Sequence, residues 1–305
     1  PNVPFRYGRV PRQRALGIGR AGFIFTFLMT LALPAPALFA HGGKLLVQPE
    51  TIMQGEPFMA TLSGVDIKDI KSLTWDGVAV PMFLYKNNPT ALIGVDLSAR
   101  PGTHRLKLTT LDADEVMAAV TVKKRPATTA PLGIPEKLGG NTRQSQLNLV
   151  TTLALENATL AKLRASAVPL WSDAFSFPLK KAEVIDAYGY SRSTGSYAIP
   201  HKGTDFRAAK GAPVSAINGG IVRLARDFKV YGKTVAIDHG AGIVSLSMHL
   251  SKVRVKEGQS VKRGDILGFS GDSGYALGPH LHLSIRVNGV SIDPVKFFAL
   301  FGAVI

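Results

Sequence analysis

Two histidines stand two residues apart near the C-terminus, in Gly278-Pro279-His280-Leu281-His282-Leu283. Apolar residues alternate with them, which reads as a β-strand sending both imidazoles to one face. Same-face side chains on a strand lie roughly 7 Å apart, so one imidazole can hold a metal while the other reaches a water or substrate beside it. Spacing does not say which does which, and a His-x-His is by itself an ordinary strand pattern. A second cluster adds weight to the chemical reading. His201-Lys202-Gly203-Thr204-Asp205 offers an imidazole and a carboxylate four residues apart, in a chain with only seven histidines. There is no cysteine, so disulfides and thiolate-ligated zinc are unavailable, and any metal must take His and carboxylate ligands.

The elements that must position these residues are strands. From Pro169 onward strands are expected near Phe175-Phe177, Pro213-Ala216, Gly220-Arg226, Lys233-Asp238, Ile243-His249, Val261-Lys262, Ile266-Ser270 and His280-Val287. Turns are marked by Asn218-Gly219-Gly220, His239-Gly240-Ala241-Gly242, Arg263-Gly264-Asp265 and Asn288-Gly289. No helical period shows between Pro200 and Asp293, so an all-β domain over 169–305 should bring the His clusters together around one groove. His239, in a Gly-flanked turn, reads as structural.

Upstream, residues 41–125 show seven short apolar runs: Lys44-Val47, Pro57-Leu62, Ser72-Trp75, Val78-Leu84, Thr90-Val95, Gly102-Thr109 and Val116-Val122. Asp76-Gly77 is a two-residue hairpin signal. Seven strands in about 80 residues predict a small immunoglobulin-like β-sandwich. No chemistry clusters here; His104 reads as a surface strand residue and Trp75 as core. Residues 126–168 read as a Pro-rich linker followed by a helix from an Asn141 cap to about Ala165, with Leu147, Val150, Leu153, Leu160 and Leu163 on one side. The whole chain is thus expected to be mainly β.

Residues 1–40 read as an address. Arg6, Arg9, Arg12, Arg14 and Arg20 precede an apolar run from Ala21 to Leu33 and a small-residue end at Ala35-Pro36-Ala37, the pattern of a secretory signal peptide. An uncleaved anchor is the alternative, opposed by Pro34, Pro36 and the short apolar run. His41, just beyond, is expected to be unordered. The formal charge of +15 falls to +10 once those five arginines are subtracted. For an exported protein such a charge suits anionic envelope polymers rather than nucleic acid. Membrane contact is expected only through the signal segment.

His201-x-Gly203-x-Asp205, Met248-His249-Leu250 and Gly278-Pro279-His280-x-His282 resemble, in order and spacing, the lysostaphin/LytM-type zinc endopeptidases, peptidoglycan hydrolases of bacterial cell walls. Intervening text agrees: Asn218-Gly219-Gly220-Ile221-Val222, Asp238-His239-Gly240, and the run from Gly258 to Gly268. The resemblance covers about residues 185–298. It implies that 169–305 is a metallopeptidase domain in which His201, Asp205 and His282 bind Zn²⁺, while His249 and His280 are catalytic, His280 as general base and His249 orienting water or stabilising an oxyanion. Three protein ligands leave one position for water, whose pKa zinc can lower to about 7. Departures include Ser245-Leu246-Ser247 where many relatives carry an aromatic residue, Leu277 in place of a usual Thr, and Ser284 in place of a frequent Glu. They bear on substrate contacts and leave every implied ligand in place.

The expected function is therefore an exported zinc endopeptidase cutting peptide cross-links of peptidoglycan. A catalytically silent wall-binding protein or an activator of a wall amidase is the alternative, which would not need all five site residues. The Glu-Gly and Arg-Gly-Asp turns of 255–268 also resemble lipoyl-type and efflux-adaptor domains, which need neither His cluster. No residue pattern separates glycyl-glycine from D-alanyl-diaminopimelate cleavage.

Overall fold

The computed structural model describes residues 37–38 and 43–303. The expected signal segment and His41 lie outside the described residues, apart from Ala37–Leu38. The described residues lie in one compact unit, and no helix among them is long and apolar enough to cross a membrane.

The described residues open with β1 (Ala37–Leu38), β2 (Lys44–Gln48), β3 (Thr51–Met53), β4 (Pro57–Ser63), β5 (Ile70–Trp75), β6 (Val78–Ala79), β7 (Phe83–Tyr85), β8 (Asn88–Gly94), β9 (Gly102–Thr110) and β10 (Glu115–Lys123). They form two sheets, ordered β1-β2-β4-β8-β7 and β3-β10-β9-β5-β6. Alternate residues of both sheets, among them Leu45, Val47, Phe58, Leu62, Leu73, Leu106, Leu108 and Val120, share one apolar cluster. That arrangement is a two-layer β structure whose inner faces are the apolar half of each alternating strand. Asp76 and Gly77 adopt φ of 46° and 82°, both positive as a two-residue hairpin requires. The single strand expected over 78–84 is two. Val80 still donates to Leu73, but Pro81 has no N–H to continue the ladder, and the chain crosses to the other sheet as β7. Trp75 is half-buried, against Phe58 on one side and stacked at 5.2 Å on His104 on the other.

Residues 126–168 are more structured than a linker. β11 (Thr129–Pro131) runs parallel to a strand of the next region. Helix α1 (Arg143–Leu160) follows, capped by Thr142, whose hydroxyl accepts from Ser145 N. Asn141, the expected cap, instead accepts from Ile134 N. The helix also ends earlier than Ala165, and its inward face differs from expectation. Ser145, Leu149, Glu156 and Leu160 are buried, whereas Leu147 is exposed.

The rest comprises β12 (Val184–Asp186), β13 (Ser191–Thr194), β14 (Tyr197–Pro200), β15 (Thr204–Arg207), β16 (Pro213–Ser215), β17 (Gly220–Phe228), β18 (Gly232–Gly240), β19 (Ile243–Leu250), β20 (Lys252–Val253), β21 (Ser260–Val261), β22 (Ile266–Phe269), β23 (His280–Val287), β24 (Val290–Ile292) and α2 (Pro294–Leu300). The main sheet runs β12-β15-β23-β19-β18-β17-β21, with β24 also on β23. Phe175–Phe177 is not a strand; Ser176 N meets the Ile217 carbonyl from a loop. β12 to β15 escaped the periodicity reading because their side chains are polar or mixed. Helix α2 follows from Asp293-Pro294, a carboxylate cap on Val295 N and Lys296 N with Pro at the first helical position.

Both faces of the main sheet are covered, so β19 is buried throughout. One face packs Val235, Ile237, Leu281, Leu283, Ile285 and Val287 with Phe206, Phe297, Phe298, and Phe83 and Leu92 of β7 and β8. The other packs Leu224, Ala236, Val244, Leu246 and Met248 against Leu160 of α1. The second face carries His280 and His282.

Candidate metal centre and catalytic site

Strand alternation on β23 puts Leu281 and Leu283 into the core and turns His280 and His282 to the α1 face. Asp205 on β15 lies directly opposite His282 in the antiparallel register, a position where side chains meet. The Asp205 Oδ1 is 2.7 Å from His282 Nδ1. His201, just before β15, brings its Nε2 to 3.1 Å from both Asp205 Oδ1 and His282 Nδ1. His201 Nδ1 donates to the Ala187 carbonyl at 2.9 Å, which leaves the Nε2 lone pair facing the other two donors. Gly203 makes room for this meeting. A Cβ there would stand 2.3 Å from His282 Nε2 and 2.7 Å from the Leu283 carbonyl, so the central glycine of the His-x-Gly-x-Asp run is steric in origin.

The three donor atoms lie within 4.8 Å of one another, and among the described residues no other group of three His, Cys, Asp or Glu side chains gathers this way. Two imidazole nitrogens and one carboxylate oxygen, all buried, fit a divalent transition metal with an open position. Charge states fit as well. Burial pushes His282 down to about 4 despite the Asp205 carboxylate, so the ring is neutral at neutral pH and one of its two nitrogens carries a lone pair. Burial opposes ionisation of Asp205, but the His201 and His282 hydrogen bonds outweigh it and hold the carboxyl well below the usual range.

His249 and His280 stand beside this group, their rings 4.9 Å apart and His249 6.0 Å from His282. His280 Nδ1 donates to the Gly278 carbonyl at 2.9 Å, and its Nε2 lies 3.9 Å from Asp205 Oδ2. His249 is aimed by a β-bulge. Lys233 faces Leu250 and Val235 faces Ser247, so Met248 and His249 together oppose Thr234. At the bulge His249 takes φ of 58°, a conformation a non-glycine residue rarely adopts and one that recurs at functional sites. Its Nδ1 donates to the Ser273 carbonyl at 2.9 Å. Burial first, then His282 and His280, push it down to about 3.

Two acidic residues and an arginine escaped the sequence reading. Arg192 of β13 inserts its Nη2 between Asp205 Oδ2 and Asp186 Oδ2, 3.2 Å from His201 Nε2. Asp186 and Asp205 are neighbours across β12 and β15, and the guanidinium relieves that like-charge pairing. Nothing local in Ser191-Arg192-Ser193 signals this. Glu156 of α1 does leave a trace, being a carboxylate within the stripe Leu149, Leu153, Leu160. His239 is remote from the site, wholly buried, its Nδ1 donating to the Gly219 carbonyl and its Nε2 accepting from Ser245 Oγ, both at 2.7 Å. His104 sits on Asp76 and the Arg100 carbonyl in the N-terminal sheets.

A cavity of about 510 Å³ is lined by His201, His249 and His282 together with Arg192 and with Leu149, Leu153 and Asn157 of α1.

Residues 199–294 match the model of peptidase family M23. Peptidoglycan DD-endopeptidase ShyA of Vibrio cholerae serotype O1 is 41% identical over 97 residues, 32% of this chain and 23% of that protein. DD-carboxypeptidase/endopeptidase Mpg of Neisseria meningitidis serogroup B is 39% identical over 96 residues, 32% of this chain and 22% of that protein. The chain thus spans less than a quarter of these relatives' length. A crystal structure from Pseudomonas aeruginosa described as peptidase M23 is similar over 81% of this chain and 94% of its own, with a TM-score of 0.53 and 26% identity. The matched segment contains His201, Asp205, His249, His280 and His282 together, and the chain carries a domain of peptidase family M23.

Proposed function

We propose that this chain is an exported, zinc-dependent endopeptidase that hydrolyses peptide cross-links of bacterial peptidoglycan. The observation that carries the reading is the convergence of His201 Nε2, Asp205 Oδ1 and His282 Nδ1 on one point beside two further imidazoles. In this reading His201, Asp205 and His282 hold the metal, and His249 and His280 work on the substrate and water. Zinc bound there supplies Lewis acidity toward water and the scissile carbonyl.

The chain's own residues account for the proton movements. With Nδ1 donating to Gly278, His280 keeps Nε2 free to accept a proton from water and pass it to the leaving amine. With Nδ1 donating to Ser273, His249 also offers an accepting Nε2, which favours orienting the water over donating to an oxyanion. Arg192 fixes the outer oxygen of Asp205 and so the aim of the inner one. Peptide cross-links as substrate are supported by the names of the similar DD-endopeptidases, and a periplasmic or envelope location by the basic charge and the signal-like residues 1–40. The N-terminal sheets, residues 41–125, serve in this reading to hold or shield the groove.

The test is purification of residues 41–305, metal analysis, and mass spectrometry of muropeptides released from defined peptidoglycan. About one zinc per chain and release of cross-link fragments are expected. Undiminished cleavage by an Asp205→Ala/His282→Ala double variant would sink the reading. His280→Ala should keep zinc and lose activity; loss of zinc would mean that the roles of His280 and His282 are exchanged.

A further inference from the structure

Helix α1 lies outside the matched family segment, yet it sends a buried carboxylate toward His249. Glu156 is 6% exposed, and no cation stands within ion-pair distance of it among the described residues. Its two oxygens accept instead from the backbone: Oε1 from Val230 N at 2.9 Å and Oε2 from Tyr231 N at 3.0 Å. Those amides belong to the turn joining β17 to β18. The Tyr231 carbonyl of the same turn accepts from His249 N at 3.0 Å, and the Val230 carbonyl accepts from Tyr275 N at 2.9 Å. Tyr275 follows closely on Ser273, whose carbonyl accepts from the His249 ring. Both the backbone and the ring of His249 are therefore held by segments that meet at the turn Glu156 grips.

A buried carboxylate is costly unless its oxygens are satisfied, so its presence in an otherwise apolar stripe needs a reason. Helix packing alone would be served by leucine. His249 sits at φ 58° in a bulge, and a residue in that conformation persists only where its surroundings over-determine it. Gly232 ends the same turn, and a Cβ there would come within 2.3 Å of Ser273 Oγ, which leaves the turn little freedom beneath α1. The helix is fixed rather than hinged. Asn157 accepts from Tyr231 Oη at 2.8 Å, and the Leu160 carbonyl accepts from Arg286 at 2.8 Å.

We propose that Glu156 is a positioning residue of this site: through the Val230–Tyr231 turn it holds His249 in its strained, site-facing conformation, making α1 a working wall of the groove and not a removable cover. The inference rests on the peptidase reading for its kinetic consequence only; the mechanical link from Glu156 to His249 stands apart from it.

Glu156→Ala and Glu156→Gln in the zinc-loaded full chain test it, with kinetics on a defined cross-linked muropeptide and amide hydrogen exchange. In Glu156→Ala, zinc content should be unchanged, kcat should fall roughly 10- to 100-fold as a displaced catalytic group implies, and KM should hold. Exchange protection should be lost at Val230, Tyr231 and the His249 amide together. Glu156→Gln keeps one acceptor oxygen, so part of kcat should return, and this near-isosteric variant still decides the matter if the alanine variant does not fold. A raised kcat in either variant would make α1 a cover, and an unchanged kcat or an undisturbed His249 amide would reduce Glu156 to a brace; each overturns the proposal. Should the wild-type chain cleave no cross-link, the peptidase reading fails and the exchange pattern at His249 alone decides this one.

Discussion

His239 and His249 are both deeply buried imidazoles, and burial lowers the pKa of both. Only His249 stands beside the His201, Asp205 and His282 group; His239 bonds to Gly219 and Ser245 and abuts Phe175. Burial pushes His239 from the ordinary 6.5 down to about 4, so the folded chain holds it neutral where the unfolded chain would protonate it. Between those values the unfolded state binds more protons, and stability falls as pH falls. The contribution is intact above pH 6.5, is lost progressively down to about pH 4, and amounts to about 3 kcal/mol. A His239→Gln variant should be less stable at neutral pH but show a shallower loss between pH 6.5 and 4, read from urea midpoints across that range. An unchanged slope would assign the acid sensitivity to other groups.

Much of the candidate site's geometry was legible at this scale because it is written in local spacing. Two-residue alternation foretold that His280 and His282 share a face, and the glycine of His201-x-Gly203-x-Asp205 has a steric cause that any sequence reading can suspect. Arg192 and Asp186 were not legible. Their roles depend on which strand lies beside β15, and short polar strands such as Ser191–Thr194 carry no period from which to infer a neighbour.

Helix α1 shows how an element can be foreseen while its orientation is not. Leu147, Leu149, Leu153, Leu155 and Leu160 supply two overlapping apolar stripes, and periodicity alone cannot choose between them. The fold chooses the stripe containing Glu156, because Val230 and Tyr231 present two amide donors to it and the floor of Leu224, Val244 and Leu246 accepts Leu160. Leu160→Ala should then cost about 2–5 kcal/mol as a core cavity, whereas Leu147→Ala should stay within about 0.5 kcal/mol as a surface change. Equal losses in chemical denaturation would mean that the helix presents the face first expected from sequence. The same reasoning explains β11: a Pro- and Thr-rich stretch read as linker pairs with β13, because an edge strand needs a partner more than it needs β propensity of its own.

On the scale of the whole molecule, the N-terminal sheets and the M23 domain share a core and a charge network. Phe83 and Leu92 enter the apolar cluster of Phe175, Phe297 and Phe298, and Tyr188 donates to the Ser291 carbonyl at 2.8 Å beneath Gly55, which has no room for a Cβ. Arg125, just after β10, ties the two together. Its Nε donates to the Gln54 carbonyl at 2.7 Å, and its Nη2 lies 3.2 Å from Asp293 and 3.6 Å from Glu56. Burial already raises the pKa of Asp293 against the pull of Arg125, so removing the cation leaves two nearby buried carboxyls uncompensated except by Lys296 at Glu56. Breaking such a network costs about 3–5 kcal/mol. Because Asp293 also caps α2, the damage should spread along the junction rather than remain at one pair. Scanning calorimetry of the wild-type chain should show one transition, with calorimetric and van't Hoff enthalpies equal. Arg125→Ala should divide it into two, the N-terminal sheets separating from the M23 domain, and Arg125→Lys should keep the charge and recover part of the coupling. A single, barely shifted transition in Arg125→Ala would show that the apolar contact of Phe83 and Leu92 couples the halves without the charge network.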